Sequence, residues 1–125
     1  MNDKQRLLDN NVLPVTAFVV SAADYLPQIA ALKGVSEIFE KDSTGQRTDI
    51  LQAITYHCVN TENFRNFSIK VLDAKRIITA AQLEEASEVV YVEIPVKDCI
   101  LKPYEISYNK CKVSIIAPYI KLHKE

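Results

Sequence analysis

The sequence predicts a mainly β domain with short helices: a five-stranded β-barrel of order β-β-β-α-β-β over Val35–Leu122, extended at its N-terminal side by a further strand and helix. Three observations carry this expectation. Val35–Glu40 and Thr48–Val59 are rich in β-branched and aromatic residues and flank Lys41–Arg47, a run of turn formers in which Gly45 is free to take a positive φ. Phe67–Leu72 and Val89–Ile94 alternate with the period of a strand. Between them, Thr79-Ala-Ala-Gln82 has the spacing of a capping box, which starts a short helix ending near Ser87.

The remaining elements follow in order. Residues 1–11 are polar and of mixed charge and read as a flexible start with no signal peptide. Val12–Ser21 is apolar and β-branched, as for a strand buried on both faces. In the segment from Asp24 to Gly34, Asp24 suits an N-cap, Pro27 a first turn and Gly34 a C-terminal stop; Leu26, Ile29 and Leu32 lie three apart on one helical stripe. A short helix is expected there. Asn60–Asn66 is a polar loop carrying Phe64 and Arg65. In the next strand Phe67, Ile69 and Val71 share one face, with Ser68 and Lys70 on the other. Val90, Val92 and Ile94 point to the core, Tyr91 and Glu93 away from it. Residues 96–110 read as an irregular connection, and Cys111–Leu122 as a last strand interrupted near Pro118.

Composition bounds the function. A chain of 125 residues with 48% apolar and 25% charged content is an ordinary single domain, long enough to bury a core without staples. Cys58, Cys99 and Cys111 are odd in number and form no CxxC pair, so a reduced, cytoplasmic protein is expected. No apolar run approaches the roughly 20 residues that a membrane helix needs. The net charge of −1 hides an uneven distribution: residues 65–76 and 97–125 each sum to +3, residues 1–64 to −3 and residues 77–96 to −4. Such blocks permit a basic groove if the cations share one face.

At this point the chain resembles a known group. The segment EIFEKDSTGQRTDILQAITYH is similar to the first hairpin of bacterial single-stranded DNA-binding proteins, in which a turn of the type Ser/Thr-Gly-Gln joins two strands of the OB-fold. The ending KPYEISYNKCKVSIIAPYIKL is similar to the last strand of small OB-fold proteins carried by conjugative plasmids and phages of Gram-positive bacteria. The resemblance covers residues 35–122 in element order and these two segments in residue type. The chain departs from the pattern in its helix before Val35, its lack of tryptophan and its lack of a long acidic tail. The resemblance implies an OB-fold-like domain that coats or guards single-stranded DNA without recruiting partners through a tail.

Binders of single strands need cations for phosphates and flat rings on which bases stack, each stacked base contributing about 1–3 kcal/mol. Candidate rings are Tyr56, Phe64, Phe67 and Tyr108, with Tyr91 and Tyr104 beside them; candidate phosphate contacts are Arg47, Arg65, Lys70, Lys75, Arg76, Lys110 and Lys112. The interleaving in Phe64-Arg-Asn-Phe-Ser-Ile-Lys70 is the densest local pattern. Against it stands the bland reading: strand Tyr and Phe most often pack a core, Phe67 shares its face with Ile69 and Val71, and strand lysines commonly guard edges.

Other chemistries are less well supplied. His57 and Cys58 with Cys99, Cys111 and His123 lack the paired spacing of zinc ligands, and neighbours on a strand point apart, so no metal and no cofactor are expected. Glu84, Glu85 and Glu88 read as the solvated face of a short helix rather than an acid–base pair, and no nucleophile elbow occurs, so an enzyme is not expected. The expected partner is single-stranded DNA, with RNA left open and no membrane. Edge pairing through the N-terminal strand offers a route to a homo-oligomer. The alternative is a non-enzymatic protein–protein assembly module of a mobile element.

Overall fold

The computed structural model describes residues 12–14, 26–72, 75–107 and 110–123, and strands dominate them. In chain order they are β1 (Val12–Pro14), β2 (Ile29–Lys41), β3 (Arg47–Val59), β4 (Asn66–Val71), the helix α1 (Ala80–Glu85), β5 (Val90–Glu93), a 3₁₀ turn (Val96–Asp98), β6 (Ile100–Ser107), β7 (Lys110–Ala117) and β8 (Lys121–Leu122). The expected flexible start and most of the expected strand at 12–21 lie outside the described residues, as does Tyr108.

All eight strands belong to one sheet, whose path runs β1-β7-β4-β3-β2-β5-β8, with β6 paired to β7 off this path. The ladders are antiparallel except for β4 with β7, which is parallel with Ile69 opposite Ile115. Segment 110–122 therefore appears twice along the path. Its first half lies beside β4, and its second half, past Pro118, lies beside β5 with Val92 opposite Leu122. A proline ring cannot donate to a ladder, so the break falls where the chain changes neighbours.

The sheet is curled. Buried residues from β2 (Ala30, Leu32), β3 (Ile54, Tyr56, Cys58), β4 (Phe67, Ile69, Val71), β5 (Val92) and β7 (Val113, Ile115, Ala117) meet in one cluster. Irregular register in β2 at Leu32/Gly34, Ile38/Phe39 and Phe39/Lys41 provides the local bends that such curvature needs. The helix is short and solvated, with the capping box formed as expected: Thr79 Oγ1 accepts from Gln82 N at 3.1 Å and Gln82 Oε1 from Thr79 N at 2.9 Å. Leu83, with Ile77 and Ile78 before it, packs against the core. Ala86 returns to extended backbone and ends the helix just short of Ser87.

Two expectations are corrected. Residues 29–33 are strand, not helix: Ala30 and Leu32 are buried while Ile29 and Lys33 are exposed, a period of two. Pairing on both sides, with β3 and with β5, satisfies the backbone here and overrides the helical spacing of Leu26, Ile29 and Leu32. Within the expected irregular connection, Ile100–Ser107 is strand: β6 pairs with β7 along its length, with a register shift between Pro103 and Glu105. Proline inside a strand is tolerated at an edge, which is where β6 lies among the described strands.

The two phenylalanines around the β3–β4 turn differ in role. Phe67 is 2% exposed, so Phe67→Ala should cost about 3–5 kcal/mol in a denaturant melt. A loss below about 1 kcal/mol would contradict its place in the core.

Candidate nucleic-acid interface

Alternation on β3 and β4 sorts side chains into two sets. Inward go Ile54, Tyr56 and Cys58, matched across the ladder by Val71, Ile69 and Phe67. Outward go Thr55, His57 and Val59, matched by Lys70, Ser68 and Asn66. Lys33 and Ser36 of β2 extend this outer face on one side. On the other side β7 adds Lys112 and Ser114, which alternate with buried Val113 and Ile115, and β6 adds Lys102, opposite Ser114. Four lysines from four strands thus stand on the outer surface. Residues 30–36, 53–59 and 66–72 contain no Asp or Glu, while Glu105 stands opposite Lys112 in the β6–β7 ladder and Glu62 is exposed in the turn that carries Phe64.

The face is tied together by side-chain bonds. His57 Nε2 lies 2.8 Å from Ser36 Oγ and His57 Nδ1 2.8 Å from Ser68 Oγ. Lys33 Nζ donates to Asn66 Oδ1 at 3.1 Å, linking β2 to β4 across β3. Burial of the imidazole, and then the nearby Lys33 charge, hold the His57 pKa below its ordinary value.

At one end of this face the β3–β4 turn presents Phe64. Asn60, itself buried, organises the turn: its N–H donates to Arg65 O at 2.9 Å, its C=O accepts from Phe64 N at 2.7 Å, and its Oδ1 accepts from Glu62 N at 2.9 Å. These bonds hold Phe64 at φ 58, the left-handed region that a bulky residue enters at a cost of about 1–2 kcal/mol. Phe64 is 78% exposed, so burial does not offset that cost.

The residues expected from the sequence separate accordingly. Phe64, Arg65, Lys70 and Lys112 lie on this face or at its end. Tyr56, 1% exposed, and Phe67 are corrected to core residues, because both occupy inward positions of the ladder. Arg47 and Arg76 are engaged away from Phe64, and Lys75 is exposed beside Arg76 in the chain. Arg47 stacks over Phe39 at 4.0 Å near the β2–β3 turn, and Arg76 is paired through Nε and Nη2 with the Glu37 carboxylate, which that bonding holds below the usual carboxylate range. Lys110 stands at the start of β7, and Tyr104 within β6. Lys33, Lys102 and His57 were not singled out for nucleic acid by the sequence. The alternation of His57 with Tyr56 and Cys58 was the available signal.

Elsewhere, a shallow depression of about 540 Å³ is lined by residues 86–91, Leu122 and His123, where Glu93 bonds His123 Nδ1 at 2.8 Å. Burial pushes the Cys58 thiol up to about 12 and the Cys99 thiol to about 11, the latter with help from Asp98. Neither is poised as a nucleophile. Among the described residues no group of three or more His, Cys, Asp or Glu could hold a metal, and no helix is long and apolar enough to cross a membrane.

In comparisons with known proteins, no family model, curated protein or solved structure matches this chain.

The depressed His57 pKa has a stability consequence. Above the unfolded value near 6.5 the imidazole is neutral in both states; as pH falls below it, the unfolded chain takes up the proton first and folding weakens. Melting temperature should therefore fall more between about pH 7.5 and pH 5 for the native protein than for His57→Gln. Parallel pH curves for the two would contradict the burial of the neutral ring.

Proposed function

We propose that this protein binds single-stranded nucleic acid, DNA in the first instance, without sequence preference, along the outer face of β2, β3 and β4. The observation that carries the reading is an outer surface on which Lys33, Lys70, Lys102 and Lys112 stand on four strands and which ends in the solvent-exposed Phe64. Lysines supply phosphate contacts, and the ring supplies a stacking surface. An aromatic held in a left-handed conformation with little burial is strain without a folding benefit, which is typical of residues kept for a ligand.

The connectivity supports the same reading. We take the curled sheet as an OB-fold-like barrel in which β2, β3, β4, α1, β5 and the broken last strand β7–β8 supply the order expected from the sequence. In that architecture the second and third barrel strands, here β3 and β4, form the surface on which oligonucleotides lie. A role accessory to plasmid transfer or phage replication, in the cytoplasm, is the setting that the sequence resemblance implies. A second reading, a non-enzymatic protein–protein module, is favoured by the exposed Ile29, Tyr91 and Tyr119 on the β2–β5–β8 side.

The test is a gel shift with single-stranded and duplex oligonucleotides at two salt concentrations. Three to four neutralised phosphates give a slope near −0.7 per contact, so affinity for single strands should fall about 20- to 50-fold between about 50 and 200 mM salt. Lys70→Ala should flatten that slope. Phe64→Gly should weaken binding about 5- to 150-fold with the slope unchanged, while raising stability by about 1 kcal/mol through relief of the left-handed backbone. Absence of salt-sensitive binding at micromolar protein would overturn the reading.

A further inference from the structure

We propose that His57 is a second base-stacking residue of this interface, a flat ring fixed over Gly34 that takes any nucleobase on its outer side; the inference rests on the nucleic-acid reading above. The geometry follows from its two hydrogen bonds. Ser36 and Ser68 stand on the strands to either side of β3, and each hydroxyl lies 2.8 Å from one ring nitrogen. A ring bonded in its own plane to both flanking strands lies across the sheet instead of standing up from it. One serine accepts from the N–H and the other donates to the bare nitrogen, so either tautomer satisfies the set.

Gly34 completes the arrangement. It faces His57 directly in the β2–β3 ladder, and a Cβ added there would come within 3.4 Å of His57 Cδ2 and 3.8 Å of Cγ. The ring therefore leans over bare backbone. Of the two glycines in the chain, Gly45 serves the β2–β3 turn, with φ 84, and Gly34 lies opposite this histidine. A Cβ at those distances would make ordinary van der Waals contact, so the bare backbone leaves the ring's inner side uncrowded.

This arrangement also fixes what the ring can recognise. Both nitrogens are occupied by serine hydroxyls, so no ring donor or acceptor remains to read a base edge. What is left is a half-buried π surface, which every base can use. Lys33, whose charge is felt at the imidazole, is placed to meet the phosphate beside a stacked base.

The chain contains two histidines, so the imidazole Cε1–H signals report the contact directly, with His123, held by Glu93, as internal control. In a titration of the intact protein with a short oligodeoxyadenylate, the His57 signal should move upfield through the ring current of the stacked base and His123 should stay. An abasic oligomer of equal length, which keeps the phosphates, should leave both unmoved. His57→Ala should weaken oligodeoxyadenylate binding about 5- to 150-fold with the salt slope unchanged, and His57→Phe should recover most of the loss. If the intact protein binds while its His57 signal stays put, the histidine is only a tie between strands: the inference falls and the proposed function stands. If the intact protein does not bind at all, both fall.

Discussion

The register of β4 against β3 is the constraint on which the rest of the structure depends. With Cys58 opposite Phe67 and Tyr56 opposite Ile69, every inward position of the pair is apolar; with His57 opposite Ser68 and Thr55 opposite Lys70, every outward position but Val59 is polar. A slip of β4 by one residue would bury Ser68 and Lys70 and turn Phe67 and Ile69 to water. Core and candidate interface are therefore two sides of one decision. The Asn60-centred turn secures it, because its backbone bonds set the number of residues between Val59 and Asn66.

From that pair the sheet grows in both directions and curls back on itself. On one side β2 bends at Gly34 and carries on to β5; on the other β7 joins β4 in parallel. The break at Pro118 lets one segment serve both ends of the path. On β5 the carboxylate of Glu93 stands opposite Ile29 of β2, one strand over from the lysine-bearing pair, while Lys33 is bonded toward Asn66 of β4 and Lys70 stands opposite Thr55 of β3. A chain of net charge −1 can thus present a cationic surface, since fields depend on placement rather than on the total.

Much of this was legible in the residues. The β2–β3 hairpin, the two faces of β4 and the capping box at Thr79 follow from local rules that tertiary contacts did not override. Residues 29–33 were misread because Leu26, Ile29 and Leu32 satisfy a helical spacing, whereas the ladders to β3 and β5 that decide the matter are long-range. The strand β6 was missed because Pro103 discourages a strand wherever edge position is unknown. Among the site residues, sequence identified Phe64 and Lys70 but could not separate Phe64 from Tyr56 and Phe67, since exposure depends on register. In the sequence His57, next to Cys58, reads only as a candidate metal ligand. Its partners Ser36 and Ser68 lie 21 and 11 residues away and meet it only through strand pairing.

The most direct test of the central claim is a map of backbone amide shifts during titration with a single-stranded oligothymidylate. The account expects the perturbed amides to fall on Lys33–Ser36, Thr55–Val59 and Phe64–Lys70. Shifts confined to Ile29, Tyr91 and Tyr119, or none at all, would contradict it.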